Sequence, residues 1–83
     1  MFSKEIFGAR LREIRTKTDT SQGDIAKALN TTKPTISKIE SGQRAASIEY
    51  IWQLADYFNV SIDYLVGRSD DPKGGYPVSS DSR

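Results

Sequence analysis

The 83 residues include no cysteine and no histidine. Without cysteine there is no disulfide framework and no thiolate zinc site. Without histidine the usual general base, the commonest metal ligand and the side chain that titrates near neutrality are all missing. Metal or acid–base chemistry would rest on carboxylates alone, and the sequence shows no nucleophile–base pair, phosphate loop or ligand cluster. An enzyme is not expected, and neither is a cofactor or a metal. Long apolar runs are missing too, so no membrane-spanning segment is expected. Met1-Phe2-Ser3-Lys4-Glu5 carries an acid where a signal peptide has its hydrophobic stretch, which makes a cytoplasmic location the expectation.

Net charge is also small, at +1, but it is unevenly spread. Residues 1–44 hold nine basic and five acidic side chains, a balance of +4; residues 45–83 hold three and six, a balance of −3. A basic half and an acidic half point to one face that meets a polyanion. The length fits a single small domain, which must be densely packed to be stable.

What the sequence does contain is apolar residues at helical spacing. Phe7, Leu11 and Ile14 follow i, i+4, i+7 and predict a first helix from about Ser3 to Lys17. Ser21 opens a second as a capping residue, with Asp24 in the capping-box place and Ile25, Ala26 and Leu29 on its buried side. Asn30 suits its left-handed end. Thr32 caps a third helix, Pro34 lies in its first turn, Ile36 and Ile39 are its apolar side, and Gly42 ends it. Ser47 caps a fourth whose core side is Ile48, Ile51, Leu54, Ala55 and Phe58, ending at Asn59. Ser61 caps a short fifth containing Ile62, Leu65 and Val66, stopped by Gly67. No strand-like alternation occurs, and the fold class is all-α. From Arg68 the chain is rich in Gly, Pro, Ser and Asp, so residues 1–67 are expected to form the domain and residues 68–83 a flexible tail.

Two helices joined by the short turn Leu29-Asn30-Thr31-Thr32 match a helix-turn-helix, whose second helix packs one side on the domain and offers the other to a major groove. At about 100° per residue, Lys33, Pro34, Ser37, Lys38 and Ser41 share one side of the third helix, opposite Thr35, Ile36 and Ile39. That outward side is short, polar and basic, with no acid. Lysine suits phosphate or guanine O6/N7, and serine reaches phosphate or base edges. Small residues, Ala26 and Thr35, stand where two steeply crossed helices meet. Gln22, just after Ser21, occupies the first turn of the second helix, an end suited to a phosphate oxygen.

The stretch from Ser21-Gln22-Gly23-Asp24-Ile25-Ala26 to Ile36-Ser37-Lys38-Ile39-Glu40-Ser41-Gly42 resembles the phage-repressor (Cro/CI-type, or Xre) helix-turn-helix family. The resemblance continues through Ser47-Ile48-Glu49, Leu54-Ala55 and Val60-Ser61-Ile62-Asp63-Tyr64-Leu65, covering roughly residues 3–67. It implies a compact five-helix, lambda-repressor-like domain with its helix-turn-helix in helices 2 and 3. It also implies site residues. Thr32, Lys33, Pro34, Ser37 and Lys38 match positions that approach base edges or adjacent phosphates. Gln22 matches a glutamine that binds a backbone phosphate and buttresses the start of the recognition helix. Ser21, Ser41, Gln43 and Arg44 are further candidates for the DNA backbone. Arg15 and Glu40 match a structural pair tying the first helix to the third. Lys33 stands where the family often has glutamine, and Pro34 brings no donor to a base-facing position, so base preference does not carry over. Asp19, Asn30 and Asn59 stand where glycine is frequent and tolerate the left-handed conformation; Thr20 replaces a usual apolar residue and Ala46 a common proline.

The expected function is a sequence-specific regulator of transcription, a repressor that binds a pseudo-palindromic double-stranded operator as a homodimer. The fifth helix and the aromatics Tyr50, Trp52, Tyr57 and Tyr64, expected to be exposed, are candidates for the dimer surface. An antitoxin-like or adaptor role, with a protein partner and autoregulatory DNA binding, is the alternative. A helical interaction domain that never meets DNA is a third.

Overall fold

The computed structural model describes residues 2–73. They form five helices: α1 (Lys4–Lys17), α2 (Gln22–Ala28), α3 (Lys33–Glu40), α4 (Ile48–Phe58) and α5 (Ile62–Leu65). Among the described residues there is no strand, and no helix is long and apolar enough to cross a membrane.

Each helix starts at a hydroxyl. The side chains of Ser3, Ser21, Thr32, Ser47 and Ser61 accept from the backbone N–H three residues on, satisfying a donor that the helix cannot. Ser21 and Asp24 complete a reciprocal capping box. The turns use the residues expected of them. Asp19, Asn30 and Asn59 all adopt positive φ, near 56–57°. At these three places the backbone needs a left-handed residue, and a short polar side chain can supply it.

Phe7, Leu11 and Ile14 of α1 meet Ile25, Ala26, Leu29, Ile36, Ile39, Ile51, Leu54, Ala55, Tyr64 and Leu65 in one core. The helix α3 lies against both α1 and α2, while α5 lies against α1 and α4. The closest approach is at Gly8. A Cβ built there would stand 2.3 Å from the Ile39 carbonyl oxygen and 2.7 Å from that of Glu40. Only glycine lets the last turn of α3 sit on α1 at that distance.

Three expectations change. Ile48, assigned to the core side of α4, is 71% exposed. It sits at the edge of the Ile51–Leu54–Ala55–Phe58 stripe, about 60° from Ile51 toward Trp52, and α4 has turned that edge outward. Tyr64, counted among the exposed aromatics, is buried, with the Arg10 guanidinium 4.5 Å above its ring. The segment following Gly67 is held on the domain as far as Pro72. Arg10 donates to the Ser69 carbonyl (3.1 Å) and to Asp70 (2.6 Å), and the Ser61 N–H donates to the Pro72 carbonyl (2.8 Å). The bond to Asp70 raises the already high pKa of Arg10. The rest of the expected tail, residues 74–83, lies outside the described residues.

Candidate nucleic-acid interface

The helix α3 presents one face to the core and one to solvent. Ile36 and Ile39 are fully buried, and Thr32, Lys33, Pro34, Ser37, Lys38 and Ser41 are all exposed. The one acid of the helix, Glu40, is buried, so the open face carries two lysines and no carboxylate. Two of its hydroxyls are committed locally: Thr32 Oγ1 lies 2.9 Å from Thr35 Oγ1, and Ser41 Oγ donates to the Lys38 carbonyl (3.1 Å). No hydrogen bond or ion pair among the described residues holds the side chains of Lys33, Ser37 and Lys38.

Why α3 turns this face outward follows from its anchors. Leu29, Asn30, Thr31 and Thr32 form the turn out of α2, with Thr31 N–H on the Ala26 carbonyl at 2.8 Å. Ala26 is buried and Thr35 half-buried, and α2 and α3 pack against each other. At the far end, Glu40 receives three donors. Arg15 grips it through Nε (2.5 Å) and Nη2 (3.1 Å), and Gln22 Nε2 donates to Oε1 (3.0 Å). Arg15 Nη1 also donates to the Thr20 carbonyl (3.1 Å). A carboxylate with 4% of its side chain exposed is tolerable because each donor meets an acceptor. The network joins α1, α2 and α3 at one point and fixes the rotation of α3.

The structure places Gln22 differently from the role that the resemblance implies. Its amide reaches Glu40, the last residue of α3, rather than the start of that helix. One N–H is thereby used, and the second N–H and the carbonyl oxygen remain. Ser21 is exposed beside it, its oxygen accepting from Asp24 N–H (3.0 Å). Gln43 and Arg44 are exposed on the loop after α3, their backbone N–H groups both on the Lys38 carbonyl, at 3.0 and 3.2 Å. Gly42, at φ 81°, makes that loop possible. The sequence-derived candidates thus fall on α3, the start of α2 and the loop after α3, all three tied to one another by the bonds just given.

Two participants are absent from the sequence reading. Gly8 sets the α1–α3 distance; its signal is a glycine inside a helix, which costs about 1 kcal/mol against alanine and so needs a reason. Arg10 clamps residues 69–70, and nothing in local spacing links positions some sixty residues apart.

A short helix pair with a capped turn, a buried brace and an acid-free outward face is a helix-turn-helix. The helix-turn-helix family model matches residues 11–65, and the chain belongs to that family, in its Cro/CI (Xre) type. The HTH-type transcriptional regulator ImmR of Bacillus subtilis is 33% identical over 66 residues, which are 80% of this chain and 52% of ImmR. This chain therefore spans about half the length of that relative. The restriction-modification controller protein C.AhdI of Aeromonas hydrophila superimposes with a TM-score of 0.69 at 32% identity, over 75% of this chain and 94% of that one. The P22 c2 repressor, solved in complex with a synthetic operator, gives a TM-score of 0.69 at 26% identity, over 74% and 92%. The family is a class of transcriptional regulators, not of enzymes.

Proposed function

We propose that this chain is a repressor that binds a pseudo-palindromic double-stranded DNA operator as a homodimer, inserting α3 into the major groove. The observation that carries this reading is the open face of α3, where two lysines with no ion-pair partner among the described residues stand on a helix whose one acid is turned inward and neutralised. Lys33, Pro34, Ser37 and Lys38, with Thr32 at the helix start, approach base edges. Ser21, Gln22, Ser41, Gln43 and Arg44 hold the flanking phosphates. Lysine donates to guanine O6/N7, and Pro34 offers apolar contact alone, suited to a thymine methyl. One domain of this size makes few base contacts, so a second copy on a second half-site supplies affinity. The P22 c2 repressor, of the same fold, is itself seen with an operator.

The test is selection of genomic fragments on the purified chain, followed by titration across salt. Lys33→Ala and Lys38→Ala each weaken binding to the selected sequence, by about five- to a hundredfold where the side chain reads a base. Gln22→Ala weakens selected and random duplexes alike. Absence of binding to every fragment at low salt would sink the reading. Undiminished affinity in all three variants would mean that the docking face lies elsewhere.

A further inference from the structure

Apolar side chains gather on the surface where the first turn of α4 approaches the N-terminus and the end of α5. Ile48 is 71% exposed, Trp52 61% and Phe2 43%. Ile48 and Trp52 are one turn apart on the same side of α4. Single exposed apolar residues are ordinary, but a contiguous set marks an interaction surface.

The two ends of this surface differ in charge. At one end Phe2, Ile48, Ile51, Val66 and Arg68 line a groove of about 360 Å³. At the other, Ile48, Glu49, Trp52 and Gln53 line a second, more open recess, with Trp52 well exposed. One end therefore carries a base and the other an acid, with Ile48 shared between them. Neither Glu49 nor Arg68 belongs to the two ion pairs among the described residues.

We infer that this face is the interface with a second copy of the chain, related by a two-fold axis near Ile48, each Trp52 seated in the partner's groove and each Glu49 facing the partner's Arg68. This deepens the proposed homodimer and rests on that reading. A two-fold interface must complement itself, residue i meeting j while j meets i. An acid beside the exposed Trp52 at one end and a base beside an apolar groove at the other satisfy that condition, and no other partner's chemistry needs to be invoked. Tryptophan is also the side chain most often found at the energetic centre of such contacts. Since α4 follows the loop that leaves α3, an axis at Ile48 sets the distance between the two α3 helices.

The test uses the full chain in sedimentation equilibrium over a concentration series, with circular dichroism confirming the fold of each variant. The wild type dimerises. Trp52→Ala raises the dimer dissociation constant by about thirtyfold or more. Glu49→Arg and Arg68→Glu each place two like-charge contacts across the axis and weaken self-association, by about tenfold or more. Mixing these two charge-reversed variants then decides. Their heterodimer restores both opposite-charge contacts, so the mixture dimerises at a concentration where each variant alone is monomeric. Dimerisation unaffected by all three substitutions, or a mixture as monomeric as its components, overturns the inference. So does a wild type that remains monomeric up to about 1 mM. Duplex binding, measured separately on the selected fragment, distinguishes the two levels: its absence in the wild type removes the repressor reading, while its presence with an unaffected dimer removes only this face.

Discussion

At Gly8 a single hydrogen atom in place of a side chain governs how α3 is held. Helix propensity alone predicts that alanine in the middle of α1 adds about 1 kcal/mol of stability. The carbonyls of Ile39 and Glu40, less than 3 Å from a Cβ at that site, reverse the sign, because backbone cannot step aside as a flexible side chain does. Gly8→Ala is expected to lose about 1–3 kcal/mol or more in urea unfolding, the usual range for an overpacked contact. Gly23 is the control. A Cβ there would meet only Ser21 Oγ, at 3.7 Å, and its φ is not in the left-handed region. Gly23→Ala is expected to gain about 0.4–1 kcal/mol. Equal effects at the two glycines would mean that the α1–α3 contact is looser than described. Glu40 acts at the same scale: its carboxylate is worth burying because Arg15 and Gln22 both reach it; loss of Arg15 leaves a buried charge without its counter-charge, and loss of Gln22 takes one donor from Oε1.

The elements were the most legible level of the sequence, because their boundaries are local chemistry. The five capping hydroxyls, the three left-handed Asp and Asn residues and the glycines after α3 and α5 each act on backbone within a few positions. The chain needs no tertiary information to place them. Asn59 tests how much such a stop contributes. At φ 56° a residue with an ordinary Cβ is strained, so Asn59→Ala is expected to cost about 1–2 kcal/mol of stability, read as a lower urea midpoint, and Asn59→Gly to leave the midpoint unchanged or slightly higher. Identical midpoints for the two variants would remove that role. Less legible was anything decided by contacts far apart in sequence. Ile48 reads as core because it fits the α4 stripe, but the stripe's edge faces solvent here. Tyr64 reads as an exposed aromatic until Arg10 covers it. Residues 68–73 read as tail by composition, and only the Arg10 and Ser61 bonds hold them to the domain. The same division runs through the candidate site. The outward face of α3 follows from its period, whereas the Gln22 bond to Glu40 joins residues eighteen positions apart.

At the scale of the whole molecule, the uneven charge acquires a geometry. Part of the acidic half serves to neutralise a base that the DNA reading does not use: Asp70 engages Arg10. The basic half keeps Lys33, Lys38 and Arg44 exposed around α3. What remains open is how two such surfaces are spaced. If the copies join through the α4 face, the two α3 helices belong to one rigid body, and their separation matches half-sites about 34 Å apart, one turn of duplex. If they are joined instead by a compliant tether, the separation is adjustable. Operators with 5 or 10 base pairs added between half-sites separate the two cases. Under the rigid arrangement both insertions reduce affinity toward that of a single half-site, a loss of about a hundredfold or more where two contacts had acted together. Under the compliant one the 5-pair insertion, which turns the second half-site to the far side of the duplex, is the harmful one, and 10 pairs restore the phase and much of the affinity. Recovery at 10 pairs would therefore contradict an axis at Ile48, because a dimer built on packed helices has no slack with which to follow a half-site one full turn away.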